Sequence, residues 1–324
     1  MKLVKKILDR LNGLHYKQEY LCMAKEPFQQ PLHAYLVNAG QVLKDITKQH
    51  CFVGYSPLVF ALAESTVINE DNDLIDIAFS EKILEIGSMF NRKEVVAVLR
   101  MKRMRELMTE DGKIIFYKGL HGSHRFMSPV HQKIVQLNNH LYQRKPGNVY
   151  LENNLYKQVQ IAYSIPRKIS LITVGQNGLY NLFPTDLHGQ VKQNYYVGSL
   201  RHEGNACKQV ESAKKIVLSD MDASAYKMVY AMGKNHMQPL KEKSAFGFSD
   251  DVSENFNLPL PKDLVSYKEL ELEEGFIEGI HKVLLFRIKY SRELTPEDDT
   301  LVHIHNTYAT WRYKKGLQSN YLLR

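Results

Sequence analysis

The sequence predicts an α+β protein whose second half is built as a β-barrel, and three observations carry that expectation. Short β-branched runs recur after residue 165 with turn signals between them, helical spacing there is brief, and the first half mixes both periodicities. At roughly 100–200 residues per domain, 324 residues make one large domain or two modest ones, with a core that needs no disulfide staples. The polar stretch Gln143-Arg144-Lys145-Pro146-Gly147-Asn148 reads as a linker, because Pro-Gly interrupts regular structure. This divides the chain into a mixed α+β domain over residues 1–145 and a barrel over residues 150–324.

Taken in order, residues 1–14 form a basic amphipathic helix expected to pack on its own domain. Residues 73–91 place Ile75, Phe79, Ile83, Ile86 and Phe90 at helical spacing after acidic residues suited to a helix start, and predict a second helix. Residues 95–99 are a β-branched run, and Glu110-Asp111-Gly112 leads into Ile114-Ile115-Phe116-Tyr117, which reads as strand, turn, strand. Residues 168–174 are a strand. Asn177-Gly178 then turns the chain back into residues 179–183, because both central positions of a type I′ turn need positive φ. A strand at 195–200, a helix at 207–214 capped by Asn205, and strands at 215–219 and 282–288 complete the unit.

Composition excludes several classes. Mean hydropathy is −0.35, and no stretch approaches the ~18 apolar residues of a membrane helix. The first fourteen residues lack the apolar centre of a secretory signal, so a cytoplasmic location is expected. Cys22, Cys51 and Cys207 are odd in number and scattered, which suits reduced thiols rather than a zinc or redox pair. Of the net charge of +8, residues 1–150 hold +6 (21 basic, 15 acidic) and residues 151–324 hold +2 (22 basic, 20 acidic). The excess is diluted by acids nearly everywhere, so neither nucleic acid nor a membrane is expected as a partner. There is no GxGxxG, GxxxxGK[ST], GxSxG or HExxH.

A nucleotide would therefore need another cradle. The candidate lies between residues 165 and 218, where Asn181-Leu182-Phe183-Pro184-Thr185-Asp186 and Ser199-Leu200-Arg201 lead into the capped helix. Hydroxyl, amide and guanidinium donors beside a helix N-terminus suit a phosphate. On spacing alone, Asn181 and Thr185 read equally well as turn residues and Arg201 as a surface charge.

Residues 165–288 resemble the flavin reductase-like, FMN-binding split-barrel family. Ile165-Pro166-Arg167-Lys168-Ile169-Ser170-Leu171-Ile172-Thr173-Val174 is similar to the family's opening strand, and residues 177–186 to its "G-x-x-N-x-x-P-[ST]" turn. Ser199-Leu200-Arg201 resembles the next family strand, and Glu278-Gly279-Ile280-His281-Lys282-Val283 the "G-D-H" approach to the closing strand. The resemblance implies FMN, in preference to FAD, bound by Thr173, Asn181, Pro184 and Thr185 along the ring and ribityl chain. It places Ser199, Arg201 and Asn205 near the phosphate, and His281 on the nicotinamide side. Two positions depart: Ile280 stands where the family has Asp, and Asp186 where an apolar residue is usual. The implied activity is NAD(P)H-dependent flavin reduction, hydride passing from nicotinamide to flavin N5, by a homodimer. Residues 52–62 echo residues 161–166 and the strand after them, so the first half can also be read as a degenerate second barrel that makes the chain a pseudo-dimer. The competing functions are a non-catalytic flavin carrier and a cofactor-free interaction protein.

Three further signals stand apart. His303 and His305, at i and i+2, face one side of a strand but lack a third metal ligand. His121, His124, Arg125 and His131 read as a basic loop, and residues 233–240 as a variable loop that reaches the flavin in relatives. Tyr308 and Trp311 read as an apolar anchor.

Overall fold

The computed structural model describes residues 11–24, 32–64, 73–142, 149–295, 300–317 and 321–322. Strand β1 (Tyr20–Ala24) is followed by seven strands: β2 (His33–Asn38), β3 (Gln41–Asp45), β4 (His50–Tyr55), β5 (Leu58–Ala63), β6 (Leu74–Ser80), β7 (Ala97–Thr109) and β8 (Gly112–His124). Helices α1 (Pro129–Tyr142) and α2 (Leu155–Ala162) and the short strand β9 (Arg167–Lys168) lead into the second half. There the chain forms β10 (Ser170–Gln176), β11 (Leu179–Thr185), β12 (His188–Lys192), β13 (Tyr195–Arg201), helix α3 (Asn205–Ala213) and β14 (Lys215–Met221). After helix α4 (Tyr226–Ala231) and the small hairpin β15 (Phe248–Val252) and β16 (Pro259–Pro261) come the long strands β17 (Leu264–Glu278) and β18 (His281–Glu293). The described chain closes with β19 (Leu301–His305), helix α5 (Asn306–Lys314) and β20 (Tyr321–Leu322).

The molecule is mixed α+β and mostly sheet. The first large sheet runs β3-β2-β6-β7-β8-β5-β4, and the second β11-β10-β14-β17-β18-β13-β12. Counted from the first strand of each half, both orders are 2-1-5-6-7-4-3, so the two halves share one topology. Each sheet keeps two edge strands, and no pairing among the described residues closes either into a barrel. A four-stranded sheet, β20-β1-β19-β9, ties the two ends of the chain together.

The halves pack through a shared core. Cys51, Val53, Val59, Ala61, Leu107, Ile114 and Phe116 from the first sheet meet Tyr195, Val197, Phe276, Val283 and Leu285 from the second. At one end the β17–β18 turn abuts the β4–β5 turn, where the Ile280 amide donates to the Ser56 carbonyl at 3.1 Å. At the other end the β7–β8 turn meets the β12–β13 turn: the Asn194 amide donates to Asp111 Oδ2 at 3.2 Å, and Lys192 Nζ reaches the Asp111 carbonyl. Hairpin meets hairpin in the same way at both ends, as two copies related by a two-fold axis would do.

Several expectations need correction. Residues 73–91 are not a helix: Ile75, Ile77 and Phe79 are buried alternately on strand β6, and Ile83 and Ile86 are exposed beyond it. His121 and His124 belong to strand β8, not to a loop; His124 is buried against Gln160 and His131 sits on α1. Asn205 is the first residue of helix α3, and Gly204 caps it. Asn181 to Thr185 continue strand β11 rather than a turn. By strand order, residues 52–62 correspond to β12 and β13, not to residues 161–166 and the strand after them. The 143–148 linker and most of the 1–14 helix lie outside the described residues. Asn177 and Gly178 take the φ values of 53° and 78° that the hairpin expectation requires. Tyr308 and Trp311 are buried in the first half's core. No helix among the described residues is long and apolar enough to cross a membrane.

Candidate functional site

The site is built where the second sheet meets the first half's β4–β5 turn. Strand β11 ends in Pro184-Thr185 and is followed by Asp186, strand β13 ends in Ser199-Leu200-Arg201, and β18 begins with His281 opposite Arg201 in the ladder. These ends converge on a cleft of about 410 Å³, within the ~300–1,000 Å³ range typical of ligand sites. Gly204, Ala206, Gly233, His236, Met237 and Tyr55 complete its walls.

The donors are concentrated on one side. Arg201 Nη2 donates to the Tyr55 hydroxyl at 2.9 Å, so a residue of the first half orients the guanidinium. Helix α3 begins beside it, and its first turn carries amide groups with no partner within the helix. A Cβ on Gly204 would sit 3.2 Å from the Arg201 carbonyl, so the cap is held close to the strand end. The Tyr55 ring meets His281 edge-on at 4.6 Å. His281 Nδ1 lies 3.5 Å from Ser199 Oγ, which also donates to the Val53 carbonyl. His281 Nε2 is buried and has no hydrogen-bond partner among the described residues.

Charge in the cleft follows from burial. Burial, helped by the Arg201 charge, lowers His281 to about 4, so its ring is neutral at pH 7. Burial also lowers His236, whose Nε2 lies 2.8 Å from the Pro184 carbonyl. Arg201 therefore supplies the cleft's fixed positive charge beside the helix N-terminus, the pairing that favours an anion. Asp186 is turned the other way: burial raises its pKa, but His303, Arg167 and Tyr163 outweigh that and hold the carboxyl well below the usual range.

Of the eight residues singled out from sequence, Pro184, Thr185, Ser199, Arg201 and His281 line the cleft. Thr173, Asn181 and Asn205 lie outside its lining. Thr173 is buried with Oγ1 unpartnered among the described residues. Asn181 is buried too, its amide donating to Gln209 Oε1 at 2.7 Å and to the Asn235 carbonyl at 3.0 Å. It fastens α3 and the 232–237 turn to the sheet. Asn205 Nδ2 donates to the Met237 carbonyl at 2.8 Å. His303 and His305 part company: His303 bonds Asp186 and Tyr230, while His305 is buried and accepts from the Thr307 amide to cap α5.

Tyr55 was not legible, since it lies 146 residues from Arg201 and in the other half. Tyr230 carries no local pattern either. His236 falls in the segment read as a variable loop, and that segment does reach the cleft.

No family model matches the sequence, and no curated protein matches it. Among solved structures, the chain is similar to an FMN-binding protein from Thermus thermophilus with bound p-hydroxybenzaldehyde, at 15% identity and a TM-score of 0.36, covering 40% of this chain and 72% of that one. It is similar to an NADH:FAD oxidoreductase of Streptomyces globisporus C-1027, at 12% identity and a TM-score of 0.42 over 50% and 96%. It is also similar to the flavin reductase PheA2, at 11% identity and a TM-score of 0.39 over 53% and 99%. The solved structures that the chain resembles are thus flavin reductases and FMN-binding proteins, each matched over about half of it. At these scores the likeness carries no argument about chemistry, which rests on the cleft itself.

Proposed function

We propose that the cleft binds a flavin mononucleotide and that the chain is an NAD(P)H-dependent flavin oxidoreductase. The observation that carries the reading is the anion cradle: Arg201, oriented by Tyr55, stands beside the N-terminus of helix α3 at one end of a cleft large enough for a nucleotide. FMN suits it better than FAD, because the cradle offers one cation for one terminal phosphate. Arg201 and the first amides of α3 would hold that phosphate, with Thr185, Pro184, Ser199 and His281 along the rest of the molecule. The unpartnered Nε2 of His281 and the neutral state of that ring suit a hydrogen bond to an uncharged polar edge.

A bound flavin supplies hydride chemistry, and the protein supplies binding and orientation. No acid or base is needed for hydride exchange with nicotinamide, so Arg201 and His281 act here by position. Tyr55 brings the first half into the site. We therefore read the first half as a degenerate copy of the second that occupies the partner position, which makes the chain a pseudo-dimer and a monomer in solution. The shared strand order and the matched turn contacts at both ends of the shared core support that reading.

The test is an absorbance titration of the purified chain with FMN, followed by NADH or NADPH. The account expects flavin bands that bleach with the nicotinamide. FMN uptake without bleaching identifies a carrier, and no uptake removes the flavin reading.

A further inference from the structure

The cleft has a second lobe. Pro184, Thr185, Asp186 and Gly233 form a wall common to the main cleft and to a neighbouring cavity of about 220 Å³, which Ile169, Val229, Tyr230 and His303 close on the far side. Three polar residues from three separate segments meet around this lobe, Asp186 from the shared wall and His303 and Tyr230 from the far side. Asp186 Oδ2 accepts from the Tyr163 hydroxyl at 2.8 Å and lies 2.9 Å from His303 Nδ1. His303 Nε2 lies 2.8 Å from the Tyr230 hydroxyl. Arg167 Nε donates to the Asp186 carbonyl at 2.9 Å and fixes the backbone that carries the carboxylate.

The order of groups is carboxylate, imidazole, phenol; all three residues line the lobe, with the phenol hydroxyl at the end of the series. Asp186 on Nδ1 fixes the tautomer, leaving Nε2 to accept from Tyr230 when the ring is neutral and to donate when it is protonated. The groups facing His303 are Asp186, Tyr230, Tyr163, Tyr20 and, opposite it in the two ladders of β19, Arg167 and Cys22. A purely structural network has no need to end at a cavity, and hydride exchange with nicotinamide has no need of an acid.

We propose that Tyr230 is the proton donor of this lobe for a small organic substrate bearing a carbonyl or phenolate oxygen, with His303 and Asp186 as positioning residues. The Tyr230 O–H bond breaks as the substrate O–H bond forms. The Nε2 proton of protonated His303 passes to the Tyr230 oxygen, and the ring is left neutral against the Asp186 carboxylate. Reducing a carbonyl also takes a hydride, and for that half the proposal rests on the reading above, in which reduced flavin is the donor; the proton relay itself does not depend on it.

The experiment uses the flavin-free full chain and 4-nitrophenolate, whose yellow colour is lost on protonation. The wild-type chain is expected to bind the probe with loss of colour, and Tyr230→Phe and His303→Gln to reduce that change at least about tenfold. An equal change in Tyr230→Phe, or no change with the wild-type chain, overturns the proposal. Should Tyr230→Phe fail to fold, the nitrogen NMR spectrum of wild-type His303 with and without the probe decides: a ring that loses its Nε2 proton when 4-nitrophenolate binds and keeps the one on Nδ1 upholds the relay, and a ring whose two nitrogens do not change contradicts it. FMN uptake by the wild-type chain is scored separately, so loss of the flavin reading and loss of the relay are told apart.

Discussion

The two halves of this chain share a strand order and differ in what stands at the equivalent strand end. Strand β13 ends in Arg201, and the matching strand β5 runs into Glu64. Where β18 begins with His281, the start of β8 brings Lys113, whose amide donates to Glu64 Oε2 at 3.0 Å. Where the first half lends Tyr55 to Arg201, the second half's matching turn brings Lys192 towards Gly112 and Glu64. The Glu64 carboxylate stands 3.9 Å from the Lys113 ammonium and offsets its charge, whereas a guanidinium beside a helix N-terminus attracts a phosphate. The connection between the fifth and sixth strands of each topology adds to the contrast. In the second half it spans residues 222–263 and carries Tyr230, His236 and Met237 into the walls of the cleft, while in the first half it spans only residues 81–96. One topology thus provides a framework twice, and on the proposed reading side chains at two strand ends distinguish the copy that holds an anion.

The largest effect should come from the turn contacts. Gly279 has φ +58°, and a Cβ there would lie 2.0 Å from the Ser56 carbonyl and 2.4 Å from Pro57 Cδ. Gly279→Ala is expected to cost about 3–4 kcal/mol of stability by chemical denaturation, since backbone must move. Gly112→Ala, beside the turn at the other end, meets only the ends of two side chains, Lys192 Nζ at 2.9 Å and Glu64 Oε2 at 3.2 Å, which can swing away; we expect about 1–2 kcal/mol there. Equal losses would contradict the packing described at the two ends.

Next in size is binding. Arg201→Ala should weaken FMN binding about 10- to 100-fold in a fluorescence titration, the range for losing a charge-assisted contact. Glu64→Ala, at the matching strand end of the first half and one residue short of the register position of Arg201, should leave it within about twofold. The reverse ranking would place the anion site in the wrong half.

Acid should destabilise both halves. Burial lowers His50 to about 3 and His124 to about 4 in the first half, His188 and His281 to about 4 in the second, and His305 to about 3 between them. The unfolded chain takes up protons near pH 6.5 that these folded rings refuse. Stability is therefore full above about pH 6.5 and falls as pH drops towards 4, by up to about 1.4 kcal/mol per pH unit for each ring. A Tm at pH 5 equal to that at pH 7 would contradict the buried, neutral rings. The smallest effect belongs to Asp111→Ala, which removes two exposed bonds to Asn194 and should cost about 0.5–1 kcal/mol.

Much of the second half was legible because its strands are short, β-branched and separated by unambiguous turns such as Asn177-Gly178. Strand β6 was misread for a specific reason. Ile75 and Phe79 are four residues apart, a spacing that is one helical turn and also two strand repeats, and the exposed Ile83 and Ile86 extended the false period. Thr185, Ser199 and Arg201, which line the cleft, were legible as polar donors in one stretch leading into a helix, and His281 only through the family resemblance of residues 278–283. Tyr55 and the Asp186–His303–Tyr230 set were not, because each depends on contacts between segments far apart in the chain. The shared strand order was equally hidden: pairing partners, not sequence similarity, define it, and the echo seen at residues 52–62 pointed to the wrong strands.

The most direct measurement is the stoichiometry of FMN on the intact chain, by absorbance titration with the solution mass determined on the same sample. The account predicts one FMN per 37.5 kDa chain, bound by a monomer and lost in Arg201→Ala. Two flavins per chain, or one that survives Arg201→Ala, would contradict it.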